Sequence, residues 1–379
     1  MTMNTRTTAI FLMLFLGLAL AACAQDEPAP PATTAPPATT APTQTPTVTA
    51  SPGPTLTPTP TPTPTPELRP LITGGCCVQP SWSPDSRQVL FIDRPSADGP
   101  AGIYALDIIT GAIKSPQLIG RIGIYSADRS LVAYPGNSGT IVERPATGDQ
   151  WTLGNVGQVT FAPDNLRLAW TDDPDTTSPY DRRRSDIYVA NLDGTGATRI
   201  ARVYGGGLAG WLPGGSRIMV QGRPSLGVQE RTLTVFDLAT GSATHLVTAE
   251  RISGVSASKD ASWVAYYIAF DEAKSRSGIW VQHTDGSGAR KLELWGAYQW
   301  RDDSHLLVIP MRKPGEAAFE VWEVDAASGA GRKLTDASTT PLQVLNGDWR
   351  VSPDGRYVVY VSSVDRNLWL LSLPPVSGQ

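Results

Sequence analysis

From residue 80 onward, apolar and polar positions repeat in one short phrase: an apolar or aromatic residue, a small polar turn, then an alternating apolar run. The copies are Trp82-Ser83-Pro84-Asp85 before Val89-Leu90-Phe91, Tyr125-Ser126-Ala127-Asp128 before Leu131-Val132-Ala133-Tyr134, and Phe161-Ala162-Pro163-Asp164 before Leu168-Ala169-Trp170. Next come Trp211-Leu212-Pro213-Gly214 before Ile218-Met219-Val220 and Ala257-Ser258-Lys259-Asp260 before Trp263-Val264-Ala265-Tyr266. Trp300-Arg301-Asp302-Asp303 before Leu307-Val308-Ile309 and Val351-Ser352-Pro353-Asp354 before Tyr357-Val358-Val359-Tyr360 complete the set. Proline fixes φ for a turn and an aspartate can accept from the backbone N–H two residues on, so each phrase predicts strand, turn, strand.

Most copies are followed by another period-two run, such as Ile103-Tyr104-Ala105-Leu106 or Ile187-Tyr188-Val189-Ala190. An Asp-Gly or related turn and a short outer strand, such as 198–200 or 290–292, come next. Asp-Gly between β-type runs is a strong hairpin signal. The second copy is the poorest match, with Thr140-Ile141-Val142 where an aromatic strand belongs. The turn positions 85, 128, 164, 214, 260, 303 and 354 lie 36 to 51 residues apart, the length of one four-stranded blade. The pattern predicts an all-β chain with a seven-bladed β-propeller over 67–375 and a tail at 376–379. The run at 68–73 is like the outer strand Arg332-Lys333-Leu334-Thr335, whereas the last copy ends after three strands. Residues 68–73 are therefore expected antiparallel to 367–373, closing the ring with both chain ends.

The phrase, with its Tyr/Trp strand and Asp-Gly turn, resembles the propeller repeats of the TolB-type family over about 80–375. That resemblance implies fold rather than function, because similar repeats serve peptidase propellers and many envelope proteins. TolB itself is a soluble periplasmic protein with an α/β domain before its propeller. This chain has a different leader, so TolB's partnership with peptidoglycan-associated lipoprotein does not carry over.

The leader changes the picture. One positive charge, Arg6, precedes an apolar run from Ala9 to Leu20, which ends in Leu20-Ala21-Ala22-Cys23. The run is short for a membrane span and has the proportions of a signal-peptide core. Its end resembles a bacterial lipobox: residues 1–22 would be removed and Cys23 lipidated, anchoring the chain in the membrane. Ala24 after the cysteine favours the outer membrane in a two-membrane cell. Up to residue 66 the chain is mainly Pro, Thr and Ala. Such a segment buries no core and favours polyproline II, giving a tether with a reach on the order of 130 Å. The expected location is extracytoplasmic, on the bacterial cell envelope.

Composition narrows the chemistry. A net charge of −4 argues against nucleic acid, and three histidines with no ligand spacing argue against a histidine-bound metal. No Gly-x-Ser-x-Gly elbow and no hydrolase-sized region is present, so neither a catalytic centre nor a cofactor is assigned. The repeated aspartates read as turn formers. Cys76 and Cys77 would be the only thiols left beside a lipidated Cys23 in an oxidising compartment. They are either joined to each other through a strained eight-membered ring, or free, or paired between molecules. Arg182, Arg183 and Arg184 lie in a charged insertion and are candidate contacts for an acidic partner. The resulting expectation is a non-enzymatic scaffold that binds a protein, peptide or glycan on one rim. The long connections after Asp172, Gly222 and Phe270 are the foremost candidates. The alternative is a lactonase or glycan-cleaving enzyme with a site in the central channel.

Overall fold

A computed structural model describes residues 65–376 apart from 76–77, 95–100, 119–122, 176, 272, 274, 313–315 and 317. The signal peptide, Cys23, the tether, the Cys76–Cys77 pair and the final three residues of the tail lie outside the described residues.

The described chain is all-β. Strand β1 spans Glu67–Ile72, and the first blade follows as Val78–Trp82 (β2), Gln88–Asp93 (β3), Gly102–Asp107 (β4) and Ile113–Leu118 (β5). The second is Ile124–Tyr125 (β6), Val132–Gly136 (β7), Gly139–Arg144 (β8) and Asp149–Gly154 (β9). Thr140-Ile141-Val142 thus does form a third strand. Then come Val159–Phe161 (β10), Arg167–Asp172 (β11), Arg184–Asn191 (β12), Thr198–Trp211 (β13), Arg217–Arg223 (β14), Arg231–Asp237 (β15) and Ala243–Ala249 (β16). Ile252–Ala257 (β17), Trp263–Ile268 (β18), Gly278–His283 (β19) and Arg290–Lys291 (β20) make another blade. Gly296–Trp300 (β21), His305–Pro310 (β22), Trp322–Asp325 (β23) and Gly331–Lys333 (β24) make the next. Val344–Val351 (β25), Tyr357–Ser362 (β26) and Leu368–Ser372 (β27) end the series.

The blade count departs from expectation. Five four-stranded blades, not seven, stand as separate sheets, and β10 to β16 form one continuous seven-stranded sheet carrying the third and fourth phrases. The cause is β13. A short outer strand at 198–200 is expected, but the strand runs unbroken for 14 residues, pairing with β12 at one end and β14 at the other. At its centre Gly205 takes φ +59°, and the pairing with β14 slips at Tyr204/Gly207 and Leu208/Gly210. A side chain at Gly206 would run into the Gln221 carbonyl, so glycine lets the strand bulge and continue rather than break.

Closure follows the expectation. β1 lies antiparallel on β27, with Leu68 opposite Leu371 and Pro70 opposite Trp369. β1 is the outermost strand of its sheet, where proline's missing N–H is tolerated.

Six of the seven phrases form their turn through an aspartate; the fourth has Gly214 in its place, at φ +85°. Asp85 accepts from the Arg87 N–H, Asp128 from Ser130, Asp164 from Leu166, Asp260 from Ser262 and Asp354 from Arg356, at 3.0–3.1 Å. The residue after the aspartate is left-handed in these five copies: Ser86, Arg129, Asn165, Ala261 and Gly355. The sixth copy is a correction. There Asp302, one residue earlier than the expected Asp303, accepts from the Ser304 and His305 N–H groups.

The phrase tryptophans fasten neighbouring copies. Trp82 Nε1 donates to the Arg350 carbonyl, Trp211 Nε1 to Thr160 and Trp300 Nε1 to Ser256, each on the adjacent inner strand. The apolar cores lie between adjacent copies, such as Leu212, Leu233, Val264 and Tyr266, or Val89, Leu106, Val359 and Leu370. Each sheet therefore buries its faces only against its neighbours in the ring.

Candidate functional site

Strands alternate in direction, so every second-to-third-strand loop and every passage to the next copy share one rim. The phrase turns share the other. The three connections singled out from the sequence meet on the first rim around one polar pocket of about 350 Å³, lined by Asp181, Arg223, Gln229, Arg231, Glu250 and Arg251. Asp181 comes from a 3-10 turn, Tyr180–Arg182, in the connection after Asp172. Arg223 ends β14 and Gln229 lies in the loop after Gly222. Arg251 joins β16 to β17, and its guanidinium stands 5.4 Å from the centre of the Phe270 ring, which begins the third connection.

Arg231 organises the pocket. Its Nε donates to the Gly205 carbonyl at 2.8 Å, Nη1 to the Glu250 carbonyl at 2.7 Å, and Nη2 to the Asp181 carboxylate. One side chain thereby ties the 3-10 turn, the bulge of β13 and the end of β16 together. Gly205 permits the close approach, because a Cβ there would lie 2.8 Å from the Asp181 carbonyl oxygen.

Arg223 is only 9% exposed, and its Nε and Nη2 have no hydrogen-bond partner among the described residues. With Asp181 matched by Arg231, the remaining charges are Arg223 and Arg251 against Glu250. The balance at the pocket is positive although the whole chain is acidic.

The same rim carries most of the exposed large apolar side chains of the described residues. Among the exposed large hydrophobics of the described residues, Tyr180, Leu226, Val228, Phe270, Trp295, Met311 and Val364 all belong to this rim. Only Ile109, Ile113 and Leu166 lie elsewhere. Phe270 is 79% exposed and sits at φ +53°. Isolated exposed apolar residues are ordinary, and these stand on separate loops of the rim.

The candidate arginines divide. Arg182 is exposed on the 3-10 turn. Arg183 donates from Nη2 to the Ser178 carbonyl. Arg184 pairs at 3.4 Å with Asp186, a buried carboxylate also held by Arg202 at 2.7 Å and Arg199 at 3.8 Å. The hydrogen bond from Arg202 and the surrounding positive charge hold the Asp186 carboxyl below the usual carboxylate range. Arg184 thus serves the sheet, whereas Arg182 faces outward. Arg223, Arg231 and Arg251 were not singled out by sequence. They flank the interruptions that were, but spacing does not reveal which arginine turns inward.

The other candidate chemistry stays dispersed. His245 meets Thr234 at 3.0 Å, the His283 ring lies tilted against Trp263, and His305 lies beside Asp302. No three His, Cys, Asp or Glu side chains among the described residues come together in a way that could hold a metal ion. Every described aspartate with displaced acidity is displaced downward. In Asp128 burial pushes the carboxyl up, but bonds from the Ser130 N–H, Ser126, Ser130 and Asn165 outweigh it and hold it at about 2.

No protein-family model and no curated protein matches the chain. Solved structures do. An oligogalacturonate lyase in complex with manganese aligns over 81% of this chain and 93% of its own, at 16% identity and a TM-score of 0.56. An oligogalacturonate lyase from Vibrio parahaemolyticus aligns over 80% and 93%, at 13% identity and a TM-score of 0.54. The neighbours also include a putative TolB from Agrobacterium tumefaciens, over 78% and 90%, at 18% identity and a TM-score of 0.39. The likeness is one of fold: an all-β propeller.

Proposed function

We propose that this chain is a non-enzymatic binding scaffold of the bacterial cell envelope, held by a lipid anchor on Cys23 and carried out on its Pro/Thr-rich tether, with propeller repeats of the TolB type. The observation that carries the reading is the convergence of the three long connections on one rim, around one pocket and among most of the exposed apolar side chains. The phrase aspartates Asp85, Asp128 and Asp260 are bonded as turn formers and held below the usual carboxylate range, so they are not offered as general acids.

Two results test it. Cys23→Ser is expected to move the protein from the detergent to the aqueous phase on partitioning while leaving its thermal melt unchanged, because anchor and core are separated by the tether. A serine variant still retained in detergent overturns the anchor. Arg182→Glu with Arg251→Glu is expected to deplete partners recovered from detergent-solubilised membranes, since both charges face outward on the rim. Arg184 is left intact in this test because reversal there would set a carboxylate against buried Asp186. Unchanged recovery overturns the rim as the binding surface. Lyase or hydrolase turnover of an acidic oligosaccharide, the substrate class named for the oligogalacturonate lyases, overturns the non-enzymatic reading.

A further inference from the structure

Seven phrase copies in a ring meet at seven junctions, and six of these hold an apolar core of buried side chains. The junction of the first and second copies holds no such core among the described residues. A cavity of about 500 Å³ lies there. Its apolar wall is Leu90, Ile92 and Ile103, on one face of the first blade, with Ile92 and Ile103 paired across the strands. All three are half-buried, whereas Val89 and Phe91 are buried in the core shared with Val359 and Leu370 of the last blade. Arg129 of the second copy lines the same cavity, and its Nη2 donates to the Ser81 hydroxyl at 2.7 Å. Its Nε and Nη1 make no hydrogen bond among the described residues, yet neither is sealed from solvent as the partnerless Arg223 nitrogens are. Asp348 and Arg350, also in the lining, offset each other in sum, so Arg129 supplies the net charge.

The backbone gives a second, independent sign. β2 carries one extra residue between Val78 and Ser81, and there Gln79 takes φ +53°. The same bulge occurs in β17, where Gly254 takes φ +63°. Gln79 precedes Asp85 by six residues, and Gly254 precedes Asp260 by six. Glycine adopts this conformation freely, whereas glutamine is strained in it. Such strain persists where the side chain has a use, and the exposed Gln79 lines the cavity.

We propose that this junction is a small-molecule site for a monocarboxylate with an apolar body. The body covers Leu90, Ile92 and Ile103, and the carboxylate accepts charge-assisted hydrogen bonds from the open Arg129 nitrogens. Gln79 adds an amide donor from the bulge. A neutral ligand leaves Arg129 unanswered, and a sugar leaves the aliphatic wall without an apolar partner, so the two features together select an amphipathic acid. The volume falls within the range of small-molecule sites. The cavity shares no lining residue with the rim pocket around Arg231, and the inference does not rest on the scaffold reading.

The test titrates the full-length lipoprotein in detergent with 4-phenylbutyrate by calorimetry, with protein-free micelles as the blank. Saturable binding is expected with a Kd below about 5 mM, the range for a ligand of about twelve non-hydrogen atoms. The neutral 4-phenylbutyramide keeps the body and loses the charge, and is expected to bind about tenfold more weakly. Acetate keeps the head alone and is expected to bind at least about a hundredfold more weakly. Arg129→Met is expected to bring acid and amide to within about threefold of each other. Because Arg129 also holds Ser81, Gln79→Gly is the variant that separates binding from folding. It is expected to leave the unliganded Tm unchanged or raised, as the bulge loses its strain, and to weaken 4-phenylbutyrate severalfold. No saturable binding of 4-phenylbutyrate overturns the inference. So does equal binding of acid and amide by the parent, acetate binding as tightly as 4-phenylbutyrate, or a Gln79→Gly variant that binds as the parent does.

Discussion

Replacing Glu323 by alanine is expected to destabilise the propeller by about 3–5 kcal/mol, a fall in Tm of roughly 6–10 °C for a domain of this size. Glu323 is 2% exposed and Arg301 1%, and the two carry a direct ion pair. Arg301 is the hub: Nε donates to the Gly355 carbonyl at 2.9 Å, Nη1 to Glu323 and Nη2 to the Pro374 carbonyl. It thereby joins the sixth phrase, the turn of the seventh and the end of the chain. Arg332 meets the other Glu323 oxygen at 2.9 Å, and Lys259 donates to the Arg301 carbonyl at 2.5 Å. Deleting the carboxylate leaves a guanidinium buried without its counter-charge, which costs far more than the pair contributes over an apolar replacement. For that reason Arg301→Met with Glu323→Leu is expected to lose less stability than Glu323→Ala alone. Denaturant midpoints of the two variants measure this. A Glu323→Ala variant within 1 kcal/mol of the parent would show that the pair is not isolated from water.

The two buried arginines have opposite logic. Arg301 satisfies every branch with protein groups and is a structural hub, whereas Arg223 has Nε and Nη2 buried without partners among the described residues. Removing Arg301's partner should therefore weaken the fold. Removing Arg223 itself should not.

Much of this architecture was legible because its signals are local. An aspartate followed by a left-handed residue defines five of the seven phrase turns, three of them with proline ahead of the aspartate, and the alternating runs beyond them are strands over nearly the expected spans. Ring closure was legible too, because Arg69-Pro70-Leu71-Ile72-Thr73 looks like an outer strand with no inner partners ahead of it. What failed were features set by tertiary context. A short outer strand at 198–200 was expected, yet the backbone uses the missing side chains of Gly205-Gly206-Gly207 to carry β13 on through a bulge against Gln221. Asp302 and Asp303 are indistinguishable by composition, and only the turn geometry selects the first. The rim was foreseeable from the three interruptions. The inward turn of Arg223 was not, because it depends on β14 reaching Tyr204 of the bulged strand.

Deleting residues 67–73, joining Pro66 to Gly74, is expected to open the ring. β1 covers the outer edge of β27 from Leu368 to Ser372, so its loss leaves a row of backbone N–H and C=O groups without partners on an apolar strand. The deletion also removes Leu68, Leu71 and Ile72 from the cores on either side of that blade. The Arg69 Nη2 bond to the Ile108 carbonyl, which ties the blade to its neighbour at 2.5 Å, goes with them. An uncovered, flat, apolar edge is a template for pairing with a second chain. The deletion variant should therefore elute as dimers or larger species on size exclusion in detergent and melt at least several degrees below the parent. Supplying the peptide Glu67–Thr73 in excess should restore the monomer, because binding by strand addition needs only the edge that the deletion exposed. A deletion variant that is monomeric and melts with the parent would mean that β1 is an ornament on a ring already closed by packing between the inner strands of the first and last blades.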